Sequence, residues 1–178
     1  MSAALEALYA GDREAGVRLL PPDAELSVFE AAAFGRDARL EELLRDDPSL
    51  AAAFSDDGFT ALHLAVFGEE EGAARLLVRH GADVDAVATG AIARVAPLGT
   101  AAFVRSVPLA RLLLDEGADP NGSEDGGFTA LHTAAQSGDE PLVRLLLERG
   151  ADPARAATDG TRPIDLAASD DIRRLLSA

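Results

Sequence analysis

Hydrophobic positions recur along the chain as a two-part figure. An alanine-rich segment, such as Ala61-Leu62-His63-Leu64-Ala65-Val66 or Ala130-Leu131-His132-Thr133-Ala134-Ala135, is followed by a leucine run such as Leu76-Leu77 or Leu145-Leu146-Leu147. Each segment predicts a short helix. Thr60 and Thr129 precede the first helix of their units, where a threonine oxygen accepts from an orphan amide of the first turn. Pro97 and Pro163 fit the first helical position, which needs no N–H donor. Pro108 and Pro141 fall in the first turn of the second helix, and Gly81, Gly117 and Gly150 supply the left-handed residue that ends it. Each unit therefore reads as helix, tight turn, helix and extended loop. One such pair cannot bury its apolar face alone, so neighbours must stack to share a core.

The figure is periodic. Gly81-Ala82-Asp83, Gly117-Ala118-Asp119 and Gly150-Ala151-Asp152 follow the leucine runs, their glycines 36 and 33 residues apart. The markers Leu5, Phe29, Leu62, Leu98, Leu131 and Ile164 are spaced by 24, 33, 36, 33 and 33 residues. Thr60-Ala61-Leu62-His63 and Thr129-Ala130-Leu131-His132, the small-residue pairs, the leucine runs and Gly-Ala-Asp together resemble the ankyrin repeat family over nearly the whole chain. The resemblance implies an all-α ankyrin-repeat solenoid of helix-turn-helix units with extended finger loops, capped at both ends. It divides a single domain, 1–178, into a degenerate amino-terminal helix pair (1–21), repeats over 22–54, 55–90, 91–123 and 124–156, and a shortened cap (157–178).

At the amino-terminal end Leu5, Leu8, Val17, Leu19 and Leu20 are expected to face inward, with Asp12, Arg13, Glu14 and Arg18 toward water. At the other end Asp165 replaces the motif histidine, and Arg173 and Arg174 give a polar exterior. The repeat starting at residue 91 departs most, with Ala96 in the threonine position, Gly99 in the histidine position and three extra residues within 84–96. This is the expected soft point of the array, with a longer finger around Ala88-Thr89-Gly90.

Composition narrows the chemistry. The 178 residues carry 16 basic and 31 acidic side chains, a formal charge of −15, and all the basic residues are arginine. Without lysine there is no phosphate-loop or Schiff-base lysine, and without cysteine no thiolate nucleophile or cysteine metal site. So strong a negative charge opposes nucleic-acid binding, which depends on neutralising phosphates. No apolar run reaches the ~20 residues needed to span a bilayer, and residues 1–16 do not read as a signal peptide. The expectation is a cytoplasmic protein, and abundant Ala, Arg and Gly without Lys suggest a GC-rich, bacterial genome.

No catalytic constellation emerges. His63 and His132, two repeats apart, are expected ~20 Å from one another at ~10 Å per stacked helix, too far to share a metal; the family resemblance implies that they bond neighbouring backbone. His80 precedes a helix-ending glycine. Glu69-Glu70-Glu71 lacks the converging oxygens of a calcium loop. The chain is read as a non-enzyme with no metal and no cofactor.

Partners of this family dock on loop tips and first helices. Five residues after each marker come Phe34, Phe67, Phe103, Gln136 and Ser169, so three successive repeats place phenylalanine at one spot. Phe59 and Phe128 precede the capping threonines, and Phe54, Asp56 and Asp57 lie at or beside a tip; Glu124 and Asp125 crowd another. Exposed aromatic patches mark interaction sites. The expected contact set is Phe34, Phe67, Phe103, Gln136, Phe59, Phe128, Asp56 and Asp57, with the phenylalanines as anchors and the carboxylates selecting a basic rim. Packing between repeats is the competing role for the stripe. Arg75, Arg111 and Arg144 are expected on the opposite, outer face. The sequence thus points to a monomeric protein-binding module for a basic protein partner, or alternatively to an acidic inhibitor or immunity-type protein that blocks a basic enzyme.

Overall fold

A computed structural model describes residues 1–90 and 94–177. The start of the third repeat at residue 91, and part of its three-residue insertion, lie outside the described residues. Those described form eleven α-helices joined by loops and short 3-10 turns, with one isolated bridge pairing Phe54 and Thr60. They cluster into two compact units, one of residues 1–83 with 88–90 and the other of 84–87 with 94–177.

In the first unit α1 (Ala3–Tyr9) pairs with α2 (Arg13–Leu19), α3 (Val28–Ala33) with α4 (Asp37–Asp46), and α5 (Ala61–Phe67) with α6 (Glu71–Arg79). The helices begin where the sequence supplies caps. Ser27 and Glu30 form a reciprocal capping box before α3, and Thr60 accepts from the His63 amide at the start of α5. Helix α3 packs on α5 through alanine. Ala31, Ala32, Ala33, Ala61 and Ala65 are all fully buried, with Leu40, Leu44 and Leu77 filling the space toward the outer helices. The backbones come so close that a Cβ on Gly68, at the end of α5, would collide with the carbonyl oxygen of Ala33.

The second unit repeats this plan with α7 (Pro97–Phe103) and α8 (Val107–Asp115), then α9 (Ala130–Ser137) and α10 (Glu140–Glu148). Helix α7 packs on α9, and α9 on a 3-10 turn over Pro163–Leu166 that stands in place of a further first helix. Helix α11 (Asp170–Leu176) closes the unit, burying Ile172 and Leu176 while Arg173 and Arg174 stay exposed. Ala96 offers α7 no side-chain cap, as its residue type dictates. The tip residues Ala88-Thr89-Gly90 do not project freely. Ala88 is fully buried, the Thr89 amide donates to the Gly58 carbonyl at 2.9 Å, and Gly90 lies against the Asp57 carbonyl.

The amino-terminal pair corrects one expectation. Leu5 and Leu8 are buried, but Val17 and Leu19 are 41 % and 54 % exposed. The inward residue of α2 is Gly16, whose missing Cβ leaves room for the Phe34 ring; a Cβ there would sit 2.8 Å from it. Arg13 is exposed, as expected, and its side chain also ties neighbouring helix ends together. Its guanidinium donates to the carbonyls of Ala33 and Gly68, both at 3.3 Å, pairs with Glu70, and stacks over Phe34.

The motif histidines act as internal ties. The Thr129 amide donates to Nδ1 of His132 at 3.1 Å, so the proton is on Nε2, which donates to the Thr161 carbonyl of the following loop at 3.1 Å. Nδ1 of His63 likewise accepts from the Thr60 amide at 3.3 Å. Burial holds the His132 pKa below its usual 6.5, so the imidazole stays neutral in the folded chain.

Gly68→Ala, which drives a methyl into backbone, should lose ~1–3 kcal/mol of stability in urea unfolding. Gly72→Ala, which meets only the movable Asp37 carboxylate, should be neutral or gain up to ~1 kcal/mol from helix propensity. Unfolding frees His132 to take up a proton, so its contribution should be complete above pH ~6.5 and fade as pH falls below it. Stability measured against pH should show this component in the wild type and lose it in His132→Gln.

Candidate functional site

The phenylalanines expected to form one stripe have unlike surroundings. In the first unit Phe34 is only 4 % exposed. It ends α3 and is covered by the amino-terminal helices, among Ala4, Leu5, Leu8 and Leu64, with Tyr9, Phe29, Phe59 and Phe67 packed around this cluster. The sequence places Phe34 on an outward-facing position, and the structure corrects this: Gly16 and Arg13 close over it.

Tyr9 organises the rest of the cluster, a role its lone occurrence gave no pattern to reveal. Its ring meets Phe67 edge-on at 5.3 Å and Phe59 at 6.1 Å. Its hydroxyl donates to Asp57 at 2.8 Å. Burial, then the Asp57 carboxylate beside it, raises the phenol pKa above its usual value, so the group remains a donor. Asp57 also accepts from the Ser55 hydroxyl, whose oxygen in turn accepts from the Phe59 amide at 3.2 Å. Asp57 thus braces its own loop. Asp56 beside it has a side chain 95 % exposed, and Phe54 is 46 % exposed.

In the second unit Phe103, at the last turn of α7, is 69 % exposed, the most exposed large hydrophobic side chain of the described residues. The equivalent residue of α9, Gln136, is also exposed, and α7 packs directly on α9. At the ends of these helices Arg105 pairs with Asp139 at 3.5 Å. Phe128 is half-buried, its ring edge-on to His132 at 5.2 Å; Phe59 stands at 5.7 Å from His63 in the corresponding place. Both residues before the capping threonines therefore shield the buried imidazoles.

Phe103 and Gln136 are exposed on the α7–α9 surface, and separately Phe54 and Asp56 are exposed at a loop tip of the first unit. Arg75, Arg111 and Arg144 are exposed on second helices, two of them paired along the helix with Glu71 and Glu140. Among the described residues no three histidine, aspartate or glutamate side chains converge as metal ligands, and no helix is long and apolar enough to cross a membrane.

Comparison with known proteins agrees with the repeat geometry. A family model of three ankyrin repeat copies matches residues 89–177, and a single ankyrin repeat model matches 57–89. The mouse protein named ankyrin repeat and SOCS box protein 6 is 41 % identical over 81 residues, 44 % of this chain and 19 % of that protein. Its human counterpart is 35 % identical over 113 residues, 62 % of this chain and 26 % of that protein. The matched region spans about a quarter or less of these relatives' own length. Repeating helix pairs, threonine caps, histidine ties and both matching models lead to one assignment: the chain belongs to the ankyrin repeat family.

Proposed function

We propose that the chain is a non-enzymatic protein-binding module that takes a basic protein partner on the α7–α9 surface. Phe103 is the apolar anchor and Gln136 its polar neighbour. The observation that carries this reading is the exposure of Phe103 in a chain where aromatic residues are only 4 % of the sequence. A large side chain this exposed at the end of a helix keeps most of its apolar area available, and a partner that buries it gains that area. The charge of −15 favours a cationic partner by steering its approach and raising its association rate.

The other expected contact residues take different parts in this proposal. Phe34, Phe59 and Phe67 pack within the first unit, Phe128 shields His132 in the second, and Asp57 fixes its loop through Tyr9. Asp56, exposed at its tip, adds to the acidic field of the first unit.

Paired capture with wild-type and Phe103→Ser baits tests the proposal. Phe103→Ser should unfold within ~0.5 kcal/mol of wild type, as expected of an exposed position, and weaken the partner by ~2 kcal/mol or more, roughly thirtyfold. Wild-type binding should also fall with added salt. Phe34→Ser, by contrast, should lose ~3–5 kcal/mol of stability, the scale of emptying a buried phenylalanine site. Equal capture by wild type and Phe103→Ser would place the contact elsewhere.

A further inference from the structure

Glu124 occupies a place that no regular repeat gives to a carboxylate. In the units that carry His63 and His132, an imidazole fills the space at the start of the first helix, and His132 reaches outward from there to the Thr161 carbonyl of the next loop. In the third repeat that position is Gly99, and the direction reverses. The loop that follows sends Glu124 back into the vacant space, so that a Cβ on Gly99 would collide with Glu124 Oε1 and lie 2.7 Å from Val95 Cγ2. Oε1 is fully buried and has no hydrogen-bond partner among the described residues.

A buried carboxylate oxygen that meets no donor is costly, and the cost is relieved by protonation or by withdrawal. The charged groups around the slot do not relieve it. Asp125, next in the loop, adds like charge. Arg94, on the segment before α7, meets the loop through backbone: its amide donates to the Asp125 carboxylate and its carbonyl accepts from the Asp125 amide, both at 3.1 Å. Arg155 donates to the Ser123 hydroxyl at 2.8 Å. On the neighbouring elements, His132 of α9 is neutral and bonded to Thr161, and Asp159 lies in the next loop, whose Thr158 amide donates to the Gly126 carbonyl at 2.7 Å.

We propose that residues 123–128 form a proton-operated latch, in which Glu124 rests in the Gly99 slot as the neutral acid and withdraws into solvent when it ionises, loosening the Asp125–Arg94 contact. The proton is taken from and returned to water. Burial, and then the Asp125 charge, push the Glu124 pKa up to about 7, which places the transition at neutral pH. Because the folded chain holds this proton more tightly than the unfolded one, stability conferred by the docked acid is full below pH ~4.5 and lost as pH rises through ~7. The latch needs no partner and stands or falls independently of the docking surface.

The test is a pH titration of backbone amide resonances and of amide exchange in the wild type, Glu124→Gln and Gly99→Ala. Wild-type amides at Gly99 and Asp125 should shift with a midpoint near 7, and exchange at the Asp125 amide should rise about tenfold or more above that of Glu124→Gln once the midpoint is passed. Glu124→Gln should show no such transition. In Gly99→Ala, whose methyl closes the slot, the midpoint should fall to the ordinary range near ~4.3; alanine in this helix favours folding. A wild-type midpoint in that ordinary range, a neutral-pH transition retained in Glu124→Gln, or titration without faster exchange would each overturn the latch.

Discussion

Close approach of the first helices governs each unit. Ala31 to Ala33 on α3, Ala65 on α5, Ala101 and Ala102 on α7, and Ala134 and Ala135 on α9 are all at most 1 % exposed. Residues this small let neighbouring backbones lie near contact, as the Gly68–Ala33 approach shows. Leucines on the outer helices then fill the remaining space, because interiors tolerate few voids. The aromatic residues are largely excluded from this seam. They gather at the ends of the first helices and at the loop stems.

Close packing also creates a polar problem at the start of each first helix. Amides there need partners, and the next loop must be held in place. A neutral imidazole solves both demands at His132, accepting from Thr129 through Nδ1 and donating to Thr161 through Nε2. Gly99 abandons that solution. The space it leaves is taken by Glu124, whose buried Oε1 meets no donor among the described residues. The third repeat thus differs from its neighbours in chemistry as well as in sequence.

The repeat frame was legible because its signals are local: threonine caps, prolines in first turns, and helix-ending glycines recur at fixed offsets. The fate of Phe34 was not. Its position in the repeat implies an outward side chain, but what lies across from it depends on the amino-terminal pair, which departs from the repeat. Gly16 makes room for the ring, and Arg13 ties α2 to the ends of α3 and α5. Periodicity gives a residue's register without its neighbours from a degenerate unit. For the same reason Val17 and Leu19 were expected inside, whereas the contact face of α2 is set by a glycine. Tyr9 carried no signal at all, since a single residue forms no pattern, and its part becomes visible only when Asp57, Phe59 and Phe67 surround it.

The account of function therefore rests on a division among the phenylalanines: Phe34 belongs to the interior of the first unit with Phe59 and Phe67 packed around it, Phe128 shields His132, and Phe103 is largely exposed. Fluorine-labelled phenylalanine in the intact chain, observed by NMR with a soluble paramagnetic agent, measures that division directly. The account predicts strong broadening of the Phe103 resonance, clear broadening of Phe54, and protection of Phe34. Equal broadening of Phe34 and Phe103 would contradict it.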